Sequence, residues 1–322
     1  MPGYRAFVSI LVVLTVGCAI AQSEWRSPAP LGLDEFLPTP EGRPIREGEV
    51  ELGRQLFFDA RLSSNSSIRC ASCHQPERSF SDSRRFSIGA RGLRGTRNAP
   101  ALINRGYGRS FFWDGRSSTL DEQVLHPISD TLEMNLPIPE MLVRLSRDRT
   151  LRNAYRATFR DGVTASNTAR ALASYIRTLR SGGTPVDRYK SGGTLALAYG
   201  ARRGMDLFMG KAGCANCHSG PDFTDELLHN TGIAVGTLDH GRRAITGDSA
   251  DEGAFKTPTL RDLEHTGPYM HDGSMPTLED VVEHYNKGGV PDPNLDGDIK
   301  PLHLTRQEKL DLLGFLRSLS RE

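Results

Sequence analysis

Two pentapeptides constrain this 322-residue chain more than anything else in it: Cys70-Ala71-Ser72-Cys73-His74 and Cys214-Ala215-Asn216-Cys217-His218. Cys-x-x-Cys-His is the attachment signature of a c-type haem. The two thiols add across the porphyrin vinyl groups, and the imidazole next to them becomes the proximal iron ligand. Two other readings of the cysteines compete with this one. A four-cysteine zinc site usually occupies a compact module with short intervals, whereas these pairs stand far apart. A redox dithiol needs only Cys-x-x-Cys and places no demand on the next residue, which is His both times. The spacing therefore predicts two covalent haems, attached at Cys70, Cys73, Cys214 and Cys217, with His74 and His218 on the irons.

The start of the chain agrees with that chemistry. Arg5 precedes an apolar run from Ala6 to Val16, and Ala19-Ile20-Ala21 reads as a small-x-small cleavage site. These features predict a signal peptide over residues 1–21, too short to span a membrane. Cys18 behind Gly17 offers lipidation as an alternative, although Thr15 stands where such sites carry a larger apolar residue. Export to the periplasm suits a protein whose haem is attached after translocation, and leaves the mature chain without a membrane span. With 40 basic and 39 acidic residues, no single-sign field argues for nucleic acid or a membrane surface as partner.

Length suits two domains, and the halves repeat each other. Gly53, Leu56-Phe57, Cys70-Ala71, Cys73-His74 and Phe80-Ser81-Asp82 answer to Gly204, Leu207-Phe208, Cys214-Ala215, Cys217-His218 and Phe223-Thr224-Asp225. Farther on, Pro100-Ala101-Leu102 answers to Pro258-Thr259-Leu260, and Asp114-Gly115 with Thr119-Leu120 to Asp272-Gly273 with Thr277-Leu278. The expected fold is mainly α, with two cytochrome c-like haem domains over residues 22–185 and 186–322. The Ser181-Gly182-Gly183 to Ser191-Gly192-Gly193 stretch is the linker candidate. Ser27 to Arg46 reads as an extended arm, and Ser79 to Gly108 as loop. Thr119-Leu120-Asp121-Glu122 reads as a capping box for a helix that Pro127 stops. Helices are expected before the first motif, over 164–179, and over 305–319 with Leu310, Leu313, Phe315 and Leu316 inward.

The repeat also lets the distal sides be compared. Pro127 stands eight residues beyond Thr119, and Tyr285 eight beyond Thr277. Proline has no side-chain ligand atom, whereas a phenolate binds ferric iron. The first iron is thus expected open and the second capped by Tyr285, with Met270, Met275 and His284 as competing ligands.

These motifs, with Arg97-Asn98-Ala99-Pro100, Phe112-Trp113-Asp114-Gly115-Arg116 and Gly267-Pro268-Tyr269-Met270-His271-Asp272-Gly273, resemble the bacterial di-haem cytochrome c peroxidases, and among them the MauG branch. The resemblance covers nearly the whole mature chain. It implies a peroxidatic haem at His74 and an electron-transferring haem at His218, with Trp113 between them. It places Gln123, Pro127 and Glu133 on the distal side of the first haem. It also assigns Asn98, Thr266 and Pro268 to a calcium ion between the domains. Two departures from ordinary cytochrome c peroxidases stand out. Tyr285 aligns with their distal Met, and the Ser87–Gly92 loop has no His where theirs carries one. The expected activity is reduction of hydrogen peroxide, with electrons from a small redox protein such as a cytochrome c or cupredoxin. The alternatives are a MauG-like oxidase that modifies tryptophan side chains of a partner protein, and a di-haem electron carrier with no catalysis.

Overall fold

The fold is carried by two crossed helix pairs, one in each half of the chain. The computed structural model describes residues 23–234 and 236–322, so the expected signal peptide and Cys18 lie outside the described residues. Glu47–Phe57 packs along Ala165–Arg177, and Tyr199–Met209 packs along Arg306–Arg317. Each helix buries one stripe. Leu52, Leu56 and Phe57 meet Leu172 and Ile176 in one core, while Phe208 meets Leu312, Phe315 and Leu316 in the other.

A glycine closes each crossing. A Cβ on Gly53 would lie 1.9 Å from the Ala171 carbonyl oxygen and 2.9 Å from Tyr175 Cβ. On Gly204 it would lie 1.9 Å from the Asp311 carbonyl oxygen and 2.9 Å from Phe315 Cβ. Aromatic rings then fill the space between crossing and haem motif. Phe57 contacts Phe80 and Tyr175 at 5.9 and 5.3 Å, and Phe208 contacts Phe223 and Phe315 at 6.3 and 5.0 Å.

Capping explains where several helices begin. Thr164 accepts from the Asn167 N–H, and Thr277 and Thr305 form reciprocal boxes with Asp280 and Glu308. These bonds satisfy N–H groups that no preceding turn can reach. Among the described residues, strand is confined to Leu228–His229 paired antiparallel with Phe255–Lys256, Leu228 opposite Lys256.

Local readings of the sequence need correcting in five places. Thr119 does cap a helix, but only the single turn Leu120–Gln123, and Glu122 reaches back to the Ser118 N–H instead of Thr119. Pro127 does not simply end it, because it sits in the first turn of a further helix, His126–Ser129, where a missing N–H costs nothing. The linker candidate contains the helix Pro185–Lys190, capped by Thr184, with Ser181, Thr184 and Asp187 buried. Leu310 is 53% exposed while Leu312, Leu313, Phe315 and Leu316 are buried. At 3.6 residues per turn, Leu310 points about 200° away from Leu312. The arm before the first helix doubles back, with the Trp25 N–H donating to the Ile45 carbonyl.

Candidate haem sites and the seam between them

Each Cys-x-x-Cys-His motif forms a turn of 3-10 helix, Cys70–Ser72 and Cys214–Asn216. The turn brings the histidine N–H onto the first cysteine's carbonyl, at 2.9 Å for His74 and 2.8 Å for His218. Beyond it the chain reverses through a left-handed phenylalanine, Phe80 at φ 59° and Phe223 at φ 52°. That reversal aims a carbonyl at the imidazole. His74 Nδ1 donates to the Phe80 oxygen at 3.0 Å, and His218 Nδ1 to the Phe223 oxygen at 2.9 Å. With the proton fixed on Nδ1, Nε2 keeps the lone pair that a metal needs, the usual outer-shell arrangement for a ligating histidine. Burial lowers the pKa of both imidazoles and so favours their neutral, metal-binding form. Burial likewise pushes the Cys70 and Cys214 thiols up to about 12.

None of the four described cysteines is in a disulfide, and all four keep part of their surface open, as do both histidines. Cys214, Cys217 and His218 face a cavity of about 270 Å³. Paired thiols with an adjacent imidazole oriented through Nδ1 fit a covalently held haem in both halves. His229, which sequence reasoning missed, stands beside the second motif with Nε2 3.0 Å from Asp225 and Nδ1 2.6 Å from Asp296. The Cys217 thiol, then the two carboxylates, raise its pKa to about 10 against the opposing effect of burial.

The segments that cover the motifs repeat in backbone conformation as well. Asn104 and Asp262, Phe112 and Met270, and Gly115 and Gly273 are left-handed pairs. Phe111 pairs with Ser117 as Tyr269 pairs with Met275. On the second side, Tyr285 in the helix Leu278–Lys287 faces the cavity together with Met270. His284 instead has Nε2 2.8 Å from the Thr231 carbonyl, and Met275 meets Tyr269 through its own carbonyl. Burial pushes the Tyr285 hydroxyl up to about 12.

On the first side, Pro127 lies in its short helix with Gln123 half-buried one turn before it. Glu133 comes next, its carbonyl accepting from the Ala90 N–H at 2.7 Å. Burial, helped by Asp130 and opposed by Arg116, raises the Glu133 carboxyl to about 7. It is near enough to the motif to raise both the Cys70 and the Cys73 thiols electrostatically.

Trp113 sits on the seam between the halves. Its indole N–H donates to the Asn98 carbonyl at 2.8 Å, and its own carbonyl accepts from the Lys256 N–H at 2.7 Å. Asn98, Thr266 and Pro268 share the wall of the second cavity. The Asn98 amide donates to the Arg84 and Arg85 carbonyls at 3.1 and 3.3 Å. Salt bridges cross the same seam: Arg97 to Asp239 at 2.7 Å and Arg105 to Glu226 at 2.7 Å. Sequence reasoning missed Arg105, Glu226 and the buried Lys256 entirely, since no motif contains them.

The family model described as "Di-haem cytochrome c peroxidase" matches residues 47–194. A methylamine utilization protein MauG from Methylorubrum extorquens is 40% identical over 89% of this chain and 82% of its own length. The cytochrome c551 peroxidase of Nitrosomonas europaea is 36% identical over 73% and 71% of the two chains. A crystal structure of a MauG-like protein associated with microbial copper homeostasis superposes with a TM-score of 0.82, at 34% identity, over 90% of this chain and 95% of that one. No helix of the described residues is long and apolar enough to cross a membrane. With two haem-attachment motifs folded alike and relatives of this similarity over most of its length, the chain belongs to the di-haem cytochrome c peroxidase and MauG family.

Proposed function

We propose that the protein reduces hydrogen peroxide in the periplasm after export by a signal peptide over residues 1–21, with its two haem domains, related by internal repeat, dividing the work. Residues 22–185 hold the peroxidatic haem through Cys70, Cys73 and His74. Residues 186–322 hold the electron-transfer haem through Cys214, Cys217 and His218, with Tyr285 on its distal side. Haem supplies iron that accepts peroxide oxygen and a conjugated ring that passes electrons. This chain's residues do the rest. Pro127 offers no ligand and leaves the first distal side open. Gln123 hydrogen-bonds the peroxide or a water in its place, but does not titrate. Glu133 takes a proton from one peroxide oxygen and returns it to the other as the O–O bond breaks. Two electrons and two further protons complete the conversion to two waters. Trp113 offers the path for those electrons, and Asn98, Thr266 and Pro268 hold a calcium ion that ties the halves together.

The observation that carries this reading is Glu133: a half-buried carboxyl beside the first motif whose pKa is raised to about 7. A general acid–base works best with its pKa near the operating pH. The test is peroxide consumption by the two-haem protein with a reduced cytochrome c or cupredoxin as donor. Absence of peroxide consumption would leave an electron carrier.

A second reading, oxidation of tryptophan side chains of a partner protein, is favoured by Tyr285 facing the second cavity where ordinary cytochrome c peroxidases carry Met. Two relatives named MauG, at 40% and 34% identity, add to it. Fast peroxide reaction combined with slow turnover on every reduced cytochrome supplied supports this second reading.

A further inference from the structure

The cavity beside His218 has an unbalanced wall. Arg105, Lys256, Arg261 and Lys300 line it, against the single carboxylate Asp298. Arg261 has its own counter-ion, since its guanidinium reaches both Asp187 oxygens at 2.7 and 3.0 Å. Lys300 is exposed. Arg105 and Lys256 are different: both are buried, at 8% exposure each, and they share one carboxylate, Glu226. Arg105 takes the better part of it, with contacts at 2.7 and 3.2 Å. Lys256 is left with 3.2 Å to Glu226 and 3.3 Å to the Thr257 carbonyl. An ammonium donor to a carboxylate normally sits at about 2.7–2.9 Å. Asp222 also acts on Lys256, but from beyond ion-pair distance, its carboxylate taken up by Asn104 and Thr259. Lys256 thus has no close counter-ion of its own, and an under-compensated buried charge is costly.

The protonation balance reflects the same geometry. Burial pushes Glu226 up, but Arg105 and Lys256 hold it down at about 2. Lys256 goes the other way from an ordinary ion-paired lysine: burial and then Arg105 outweigh Glu226 and the more distant Asp222 and bring it to about 8. An added anion on the cavity side would relieve both effects.

We propose that Lys256, backed by Arg105, is the seat for a propionate carboxylate of the haem held at His218, and that this contact helps to set that haem's reduction potential. The inference rests on the second motif carrying a haem. Lys256 is suited to the task by its placement. Its backbone N–H holds the Trp113 carbonyl, so the cation is anchored on the seam itself. A cation at the haem edge stabilises the electron-richer, reduced state. Lys256 is a positioning residue in this scheme and touches no peroxide.

The experiment is a spectroscopic redox titration of the holoprotein, preceded by a measurement of its haem content. Two haems per chain secure the reading on which the proposal rests, independently of the titration's outcome. Lys256→Met should shift the reduced-to-oxidised ratio of the second haem about tenfold toward oxidised at fixed potential, roughly 59 mV for a one-electron couple. The first haem should stay where it was, and Lys256→Arg should restore the wild-type value. An unchanged second haem, or equal shifts of both haems, overturns the proposal. Should Lys256→Met fail to load both haems, Glu226→Gln decides, because it removes the competing anion. It should raise the second haem's potential, and no rise counts against the proposal.

Discussion

At the scale of single residues, Glu133 shows most directly what environment does to chemistry. A solvent-exposed glutamate titrates near 4.3; burial and Asp130 lift this one to about 7. If the ionised form begins the proton transfer, peroxide reactivity rises with pH through the neutral range and levels off above it. Glu133→Gln should slow the reaction by about 100-fold, the usual reach of general acid–base catalysis, and abolish that pH step. The same lifted pKa destabilises the fold. Below the unfolded-state pKa of Glu133 both states are protonated and the cost is absent. It grows as pH rises toward about 7 and is fully present above. Glu133→Gln should therefore melt higher than wild type at pH 8 and no higher at pH 4. Tyr285 makes the converse case. Burial, helped by Cys214 and Cys217 and only partly offset by Thr231, opposes its phenolate, and a bound cation would draw the proton off. Replacing an anionic ligand by a thioether raises haem potential; Tyr285→Met should raise that of the second haem, and no change in its potential or spectrum would remove Tyr285 from the iron. Spacing alone pointed to the six residues proposed to attach and ligate the haems. Glu133 came only through the family resemblance, and Lys256 escaped notice because a lysine in sequence is read as solvated by default.

At the scale of elements, the informative residues are the two glycines at the helix crossings. A helix interior normally prefers alanine to glycine by up to about 1 kcal/mol. At Gly53 and Gly204 the added Cβ would fall 1.9 Å from a carbonyl oxygen of the partner helix, a rigid backbone atom. Gly53→Ala and Gly204→Ala should each destabilise, by about 1–3 kcal/mol or more, as overpacked cores do. Thermal unfolding with intact haem content checks this, and a neutral or stabilising alanine would show that the crossing has room to open. Amphipathic periodicity and threonine caps made the long helices legible, as at Thr164 and Thr305. Pro127 and the 181–193 stretch mislead for a shared reason. Proline and glycine mark where a helix cannot continue, yet a proline also starts one well, and Thr184 with Pro185 does so inside the supposed linker.

At the scale of the whole molecule, the seam is built from loops, and sequence periodicity carries no information about how loops meet. Its contacts are long in sequence and polar. Ser79 and Ser181 both donate to the buried Asp262, at 2.9 and 2.8 Å, and Asn104 donates to Asp222 at 2.7 Å. Left-handed residues at Asn104 and Asp262 turn the chain toward those bonds. Bonds of this number across the seam hold the halves in one register, which an electron path between them requires. Trp113 is tied to that register at both ends, by its indole N–H and its carbonyl. Trp113→Phe keeps an aromatic ring and the backbone bond to Lys256 but deletes the indole N–H and the easily oxidised ring. Both haems should still attach, and the first reaction with peroxide should keep its rate, because Glu133 and Gln123 are untouched. Re-reduction of the first haem through the second should slow, so that steady turnover with an external donor falls while the single-turnover rate does not. Stopped-flow measurement of both phases separates them. Equal loss in the two would mean that Trp113 shapes the first site, and equal retention would mean that electrons cross the seam by another route.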